Sequence, residues 1–187
     1  MGFLDAILGR KKPVRPDLDR LFSLPSAAIT LEAAAGFKPT GVGSVCFAGV
    51  EGGAFNRLQD EVRGLLGEAE FTRDSYGYTW VVSRHEPEQS GELAALVNDL
   101  HAVNTFLQDG GFGPQLLCSL ITFRDEEQRS LALVYLYKRG TFYPFAPSPG
   151  EKRDNALELQ MRSTLGEDLP MEDDLSRWFP VWGAPGM

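Results

Sequence analysis

The chain has 187 residues, of which 43% are hydrophobic and 24% are charged, and this balance disfavours disorder over the whole length. Such a length suits one hydrophobic core with appendages. Eighteen basic residues against 26 acidic residues give a formal net charge of -8, so most of the surface repels phosphate backbones and we expect no nucleic-acid partner.

Cysteine usage and hydropathy indicate a cytoplasmic protein. Cys46 and Cys118 each lie in an apolar run, where a free thiol behaves as a small buried hydrophobe, and a reducing compartment fits this pattern. The sequence shows no export signal, and no apolar run reaches the roughly 18 residues that span a bilayer. We therefore predict a cytoplasmic protein that is free, or peripheral at the inner face of the membrane.

Three segments follow one another along the chain. Residues 1–16 predict an N-terminal amphipathic tail, because Pro13 and Pro16 interrupt regular structure before the body begins. Residues 17–170 predict a single α+β domain, and residues 171–187 an acidic and aromatic C-terminal segment.

The tail combines one apolar helical face with three cations just beyond it. The apolar residues and then the cations are Phe3, Leu4, Ile7, Leu8, Arg10, Lys11 and Lys12. Such a wedge suits an anionic bilayer or the groove of a partner. Packing back on the body, or on a neighbouring subunit, is an equal alternative.

The first part of the body is interpreted as a short helix followed by a strand pair. Asp17 to Leu24 predict one or two helical turns that Pro25 stops. Ala27 to Ala34 and Val42 to Val50 predict two strands around a glycine-rich loop. Gly41-Val42-Gly43 is interpreted as a turn rather than a nucleotide site, because a strand and no helix follows it.

Three later helices are predicted from apolar periodicity. They are Gly53 to Leu66, a long one with a stripe from Leu93 to Leu107, and Arg153 to Leu165. Glu70 to Asp74 and Tyr76 to Arg84 predict two strands joined by a tight turn.

A three-stranded meander is predicted between the last two helices. Leu116 to Phe123 and Leu131 to Tyr137 are apolar at both odd and even positions, and Thr141 to Phe145 follows as the third strand. Apolar residues on both faces indicate strands that are covered on both sides or by a second subunit, so we predict a homodimer. Asp125-Glu126-Glu127 predicts an exposed hairpin loop.

The order of elements predicts an α+β fold with an antiparallel sheet and helices packed on it. From Gly53 onward this order resembles the scaffold of type III secretion chaperones and YbjN-like proteins. A scaffold does not dictate function.

Neither metal nor catalytic patterns are found in the sequence. The two histidines, His85 and His101, show no metal-ligand spacing, so we expect no metal and no cofactor. His101 is interpreted as a hydrogen-bonded residue at the boundary of the long helix, and His85 as the surface end of a strand. No serine has the context of a nucleophile elbow, and we expect no enzymatic activity.

Two aromatic strings with adjacent cations predict a groove. The residues concerned are Tyr76, Tyr78, Trp80, Tyr137, Lys138, Arg139 and Tyr143. Such a mixture is typical of interface centres, but half-buried sheet surfaces contain it as well, and we favour this structural interpretation over a binding groove. A rival hypothesis is an enzyme or small-ligand pocket near Tyr76, Lys138, Arg139 and Tyr143.

Several long strings carry a resemblance to a known family. They include Met1-Gly2-Phe3-Leu4-Asp5, Leu24-Pro25-Ser26-Ala27-Ala28, Asp74-Ser75-Tyr76-Gly77-Tyr78-Thr79-Trp80, Val134-Tyr135-Leu136-Tyr137-Lys138-Arg139-Gly140-Thr141-Phe142-Tyr143-Pro144 and Arg177-Trp178-Phe179-Pro180. Read whole, the chain resembles the PspAB family, whose members are found beside the phage-shock membrane-stress protein PspA. The resemblance implies an accessory role in membrane stress with a PspA-like helical partner, and it supplies no catalytic residues.

Overall fold

The computed structural model describes residues 16–49, 52–67, 69–86 and 91–187. The predicted tail, with its apolar face from Phe3 to Leu8 and its cations Arg10, Lys11 and Lys12, lies outside these residues. The following description therefore begins at Pro16.

Six antiparallel strands form the main sheet, which confirms the predicted α+β class. In spatial order they are β2 (Glu70–Arg73), β3 (Thr79–Arg84), β1 (Lys38–Phe47), β4 (Leu116–Arg124), β5 (Ser130–Leu136) and β6 (Thr141–Phe145). A separate two-residue hairpin, β7 (Pro147–Ser148) with β8 (Lys152–Arg153), follows β6.

Four α-helices contribute to the larger core cluster on one face of the sheet. They are α1 (Leu24–Ala35), α2 (Gly53–Leu66), α3 (Glu92–Leu107) and α4 (Asn155–Leu165). The stripe predicted for the long helix is buried, since Leu96, Val97, Leu100, Val103 and Leu107 are each at most 1% exposed. Helical periodicity therefore predicted α2, α3 and α4 correctly.

The opposite face of the sheet is covered by the chain's own C-terminal segment. The segment runs along the edge of the sheet, where Met171 bridges to Phe142 of β6, and Trp178 then stacks on Tyr143 of the opposite face with ring centroids 6.0 Å apart. Further on, Trp182 meets Phe145 edge to face. The apolar side chains on both faces of the central strands are thus largely covered within one chain.

The predicted strand from Ala27 to Ala34 is wrong, because this segment belongs to α1 (Leu24–Ala35). Pro25 lies in the first turn of that helix, where a missing backbone N–H leaves no hydrogen bond unmade. The proline therefore begins a helix here and does not stop one. Gly36, with a φ of 72°, ends it.

The glycine-rich turn predicted between these two strands is wrong as well, because Gly41 and Gly43 lie inside β1 (Lys38–Phe47). The pairing of β1 with β4 shifts register between Pro39 and Gly43, and Gly41 has a φ of 79°. A Cβ at Gly43 would lie 3.1 Å from a methyl carbon of Leu96. The glycines therefore permit a bulge and the close approach of α3.

The loop between β4 and β5 is exposed from Glu126 to Arg129, as predicted, but its first residue, Asp125, is buried. Asp125 is only 5% exposed and accepts hydrogen bonds from the backbone N–H of Arg129 at 2.7 Å and from its Nε at 2.6 Å. Burial acts to raise the pKa of Asp125, but these bonds outweigh it and lower the pKa.

Candidate binding groove and a histidine–carboxylate cluster

A groove with a cavity of about 650 Å³ opens on the sheet face that carries the C-terminal segment. Five adjacent strands form its floor, with Trp80, Cys46, Cys118, Leu136 and Tyr143 in spatial order, and Leu117 of β4 lines the groove beside them. Trp80, Cys46, Cys118 and Leu136 stand directly opposite one another in the strand register and so share a face. Tyr143 is opposite Val134, two residues from Leu136, and therefore points to the same face.

Aromatic side chains from the β2–β3 turn form one wall of the groove. Tyr76 and Tyr78 are 59% and 42% exposed. Asp74 holds the turn, because its Oδ1 accepts the backbone N–H of both tyrosines at 2.9 Å and its Oδ2 accepts Nε1 of Trp80 at 2.9 Å. Gly77 supplies the φ of 88° that the turn needs. One carboxylate thus orients three aromatic rings.

The opposite wall comes from the C-terminal segment. Four consecutive residues line it, namely Phe179, Pro180, Val181 and Trp182. The hydroxyl of Tyr143 donates to the carbonyl of Phe179 at 2.7 Å and fixes this wall to the floor. Phe179 remains 58% exposed.

Three cations line the groove beside these walls. They are Lys138, Arg139 and Arg177. Arg139 donates to the buried Glu172 through Nε at 2.8 Å and Nη2 at 3.2 Å, and Arg177 donates to Asp174 through Nε at 3.2 Å. Within the described residues, Lys138 has neither a salt bridge nor a side-chain hydrogen bond.

Two reactive groups on the floor, Cys46 and Tyr143, are held in their neutral forms. The adjacent thiol of Cys118 and burial raise the pKa of Cys46 far above its usual range. Burial likewise raises the pKa of Tyr143. Among the lining residues there is no histidine and no pairing of a nucleophile with a base.

Six of the seven residues of the predicted groove meet in this cavity, and Tyr137 does not. Tyr137 lies on the helix face, where its hydroxyl donates to Oε1 of Gln108 at 2.7 Å. It is adjacent to Leu136 in sequence, so alternation places it on the opposite side of the sheet.

Sequence reasoning missed the two cysteines and the C-terminal wall. Cys46 and Cys118 stand directly opposite each other in the β1–β4 register, which no local pattern reveals. The aromatic string from Trp178 to Trp182 was a usable signal, although we assigned it to a separate segment.

A second cluster lies at the end of β3, away from the groove. Nδ1 of His85 lies 2.6 Å from Oε2 of Glu92, and its Nε2 lies 2.7 Å from Oδ2 of Asp99, both on α3. Ser83 donates its hydroxyl to the same Asp99 oxygen at 2.5 Å. Burial lowers the pKa of His85, but the bonds to Asp99 and Glu92 outweigh it and raise the pKa. His85 therefore ties the sheet to α3 most strongly when protonated.

The cluster predicts that His85 contributes more to the free energy of unfolding at pH 6 than at pH 9. A group with a raised folded-state pKa contributes its full stability below the unfolded-state pKa, about 6.5, and loses it as pH rises through the folded-state pKa. We expect His85→Asn to lower the free energy of unfolding at pH 6 by about 1–3 kcal/mol. Urea unfolding at both pH values measures this.

His101→Asn is the matched control, because His101 lies elsewhere on α3 and contacts Asp19 at 3.2 Å. This control should retain the His85-dependent difference between the two pH values. Equal pH profiles for the wild type and His85→Asn would contradict the assignment.

No helix of the described residues is long and apolar enough to cross a bilayer, and no cluster of three or more potential metal ligands occurs among them.

Comparison with known proteins gives one match. No curated protein and no solved structure matches the chain. The family model for PspA associated protein B matches residues 1–186. The chain therefore belongs to the PspAB family.

Proposed function

We propose that this protein is a non-enzymatic accessory protein of a PspA-type membrane-stress system, and that it binds a PspA-like helical partner at the rim of the groove. Membership of the PspAB family supports the accessory role. The walls of the groove carry the docking proposal, because they expose Tyr76, Tyr78 and Phe179 around one apolar opening. Exposed aromatic side chains grouped around a pocket are the usual anchors of protein interfaces.

Charge supports the same partner surface. The chain carries a net charge of -8, yet three cations line the groove. A helix that presents an apolar face flanked by acidic residues would meet complementary charge at the groove.

Tyr76→Ala and Phe179→Ala test the docking surface. Both side chains are largely exposed, so their removal should leave stability nearly unchanged. If each serves as an anchor worth about 1–2 kcal/mol, each variant should weaken PspA binding by roughly 5- to 30-fold. Calorimetric titration with purified PspA measures the change.

Ile29→Ala is the matched control, because Ile29 is a large apolar side chain on α1 that is 72% exposed and does not line the groove. It should bind PspA as the wild type does. Equal losses in all three variants, or no loss in any, would remove the groove from the proposal.

The tail and the oligomeric state complete the proposal. Deletion of Met1 to Lys12 in the same titrations, and in co-sedimentation with anionic vesicles at low and high salt, tests whether the tail adds partner or membrane-surface contact. The argument for a homodimer is weaker than it was from the sequence alone, because the C-terminal segment already covers most of the second sheet face. If light scattering shows only monomers, the homodimer is withdrawn from the proposal.

The rival reading as a small-ligand-binding protein is favoured by one observation, the volume of the cavity. Small-molecule sites have volumes of about 300–1,000 Å³, and the groove at about 650 Å³ lies within that range. The enzymatic form of this rival has weaker support, because the raised pKa values of the Cys46 thiol and the Tyr143 phenol keep these two groups protonated at neutral pH.

A further inference from the structure

The floor of the groove is elongated and apolar. Its five side chains come from five neighbouring strands, from Trp80 on β3 to Tyr143 on β6. Four spacings of about 4.8 Å between neighbouring strands give a floor about 19 Å long. Such a shape suits an extended chain better than a compact ring system.

The floor is also uncharged. Cys46 and Cys118 lie near its middle, where the raised pKa of Cys46 keeps that thiol protonated at neutral pH. The hydroxyl of Tyr143 is already engaged with the carbonyl of Phe179. An apolar chain would therefore bury its surface here without stranding a charge or a free hydroxyl.

The oxygens of the carboxylates around the groove are all engaged by donors of the protein itself. Both oxygens of Asp74 accept hydrogen bonds from the aromatic turn. Both oxygens of Glu172 accept from Arg139, and both oxygens of Asp174 accept from its own turn and from Arg177. These acidic groups orient protein donors and neutralise part of the cationic rim.

The cations, in contrast, keep donors to spare. Lys138 is exposed and has no ionic partner within the described part of the chain, and Arg139 donates to Glu172 with only two of its three nitrogens. Lys138 and Arg139 are consecutive residues in the β5–β6 turn and both line the groove. A surplus of N–H donors at one end of an apolar floor is the pattern that recognises an anionic head group.

We propose that the groove binds a single-chain amphiphile of the long-chain carboxylate class, with its chain along the floor and its carboxylate at Lys138 and Arg139. The ligand would occupy the cavity itself, whereas PspA would dock at the exposed walls. The proposal names the class of small ligand that the cavity would bind.

The test titrates the full-length protein with octanoate, decanoate and laurate below their micelle concentrations, followed by calorimetry and by the fluorescence of Trp80 and Trp182. Each CH₂ buried contributes about 0.8 kcal/mol, so the Kd should fall by about fourfold for each added carbon while the chain fits the floor. Dodecanol and dodecylammonium, with the same chain as laurate, should bind at least about tenfold more weakly. Acetate should not bind.

Lys138→Gln should weaken laurate binding by about 5- to 10-fold, since it removes one charge-assisted contact. Lys152→Gln is the matched control, because Lys152 is exposed on β8 and does not line the groove. That variant should bind laurate as the wild type does.

The two cysteines report where the ligand sits. Both line the floor, and Cys118 is the more exposed of the two at 8%, so a small uncharged thiol reagent should modify Cys118 more slowly when laurate is bound. The raised pKa of Cys46 leaves that thiol nearly unreactive with or without laurate. If laurate binds but does not change the thiol reactivity, and if Lys138→Gln binds laurate as tightly as the wild type does, the amphiphile lies elsewhere and the proposal is overturned. Equal affinity for laurate and dodecanol would do the same.

Failure of this inference is distinguishable from failure of the docking proposal, because these titrations contain no PspA. If no carboxylate binds while Tyr76→Ala still weakens PspA binding, the groove is a protein-docking surface only. If laurate binds and Tyr76→Ala leaves the affinity for PspA unchanged, the groove is a ligand site and not a docking surface for PspA.

Discussion

Deletion of residues 171–187 should abolish the cooperative fold of the protein. The segment contributes Trp178, Val181 and Ala184 to the second core cluster, where they are 5%, 9% and 4% exposed. Its loss would open the face of the sheet that carries Leu120 and Val134, and an exposed apolar face of that size promotes aggregation.

The contacts of the segment explain why a few residues have this effect. Trp178 stacks on Tyr143, and its Nε1 donates to the carbonyl of Glu172 at 3.0 Å. Arg153 in turn donates to the carbonyl of Trp178. The segment is therefore bonded to the sheet, to the β8 hairpin and to itself.

Circular dichroism, urea unfolding and dye binding to exposed apolar surface measure the result. Trp178→Ala in the full-length chain should cost about 3–5 kcal/mol, since it removes a buried large side chain. Phe179→Ala is the matched control, because the neighbouring ring is 58% exposed and should change stability by less than about 1 kcal/mol. A truncated protein with the wild-type unfolding midpoint would show that the segment is a dispensable appendage.

The elements that the sequence predicted well are those with a strong local pattern. Leu93 to Leu107 repeat every three to four residues over four turns, and α3 follows that stripe. Ala27 to Ala34 lack such a pattern, and the strand interpretation rested on the glycine-rich stretch that follows, while Pro25 was interpreted as the stop of the preceding helical turns. Proline permits both a helix stop and a first helical turn, and the packing of α1 on α4 and β1 decides between them.

The groove was predictable only where its residues are neighbours in sequence. Tyr76 and Tyr78 share one turn, and Lys138 and Arg139 share another, so local strings revealed both. The pairing of Cys46 with Cys118 depends on strand register, which is a property of the whole sheet. The wall that begins at Phe179 depends on how the C-terminal segment returns over the sheet. The periodicity of the sequence does not predict that path.

Replacement of Glu172 by alanine should destabilise the protein by about 3–5 kcal/mol. Glu172 is 1% exposed, and its carboxylate accepts four hydrogen bonds: two from Arg139, one from the hydroxyl of Thr141 at 2.7 Å and one from the backbone N–H of Asp174 at 3.1 Å. Alanine would leave a guanidinium, a hydroxyl and an amide without their acceptor. Urea unfolding at neutral pH measures the loss.

Glu172→Gln should cost less, about 1–3 kcal/mol, because it keeps the shape but directs an N–H at groups that are themselves donors. Asp173→Asn is the matched control, since the side chain of Asp173 is 94% exposed and contacts Arg162 on the surface at 2.9 Å. It should change stability by less than about 0.5 kcal/mol.

The same residue gives the protein an acid-sensitive component of stability. Burial acts to raise the pKa of Glu172, but the bonds from Arg139, Thr141 and Asp174 outweigh it and lower the pKa. Its contribution is therefore present above the unfolded-state pKa, about 4.3, and is lost as pH falls through the lower folded-state pKa. The difference in unfolding free energy between the wild type and Glu172→Gln should shrink over that range.

A double replacement separates the role of the ion pair from the role of the fold. Removing Glu172 alone strands the charge of Arg139, whereas Arg139→Met with Glu172→Leu removes both charges and keeps apolar volume at the junction. The double variant should therefore recover much of the stability that Glu172→Ala loses, although Thr141 and Asp174 still lack an acceptor. If the single and double variants are equally unstable, the four-bond carboxylate and not its charge holds the C-terminal segment to β6.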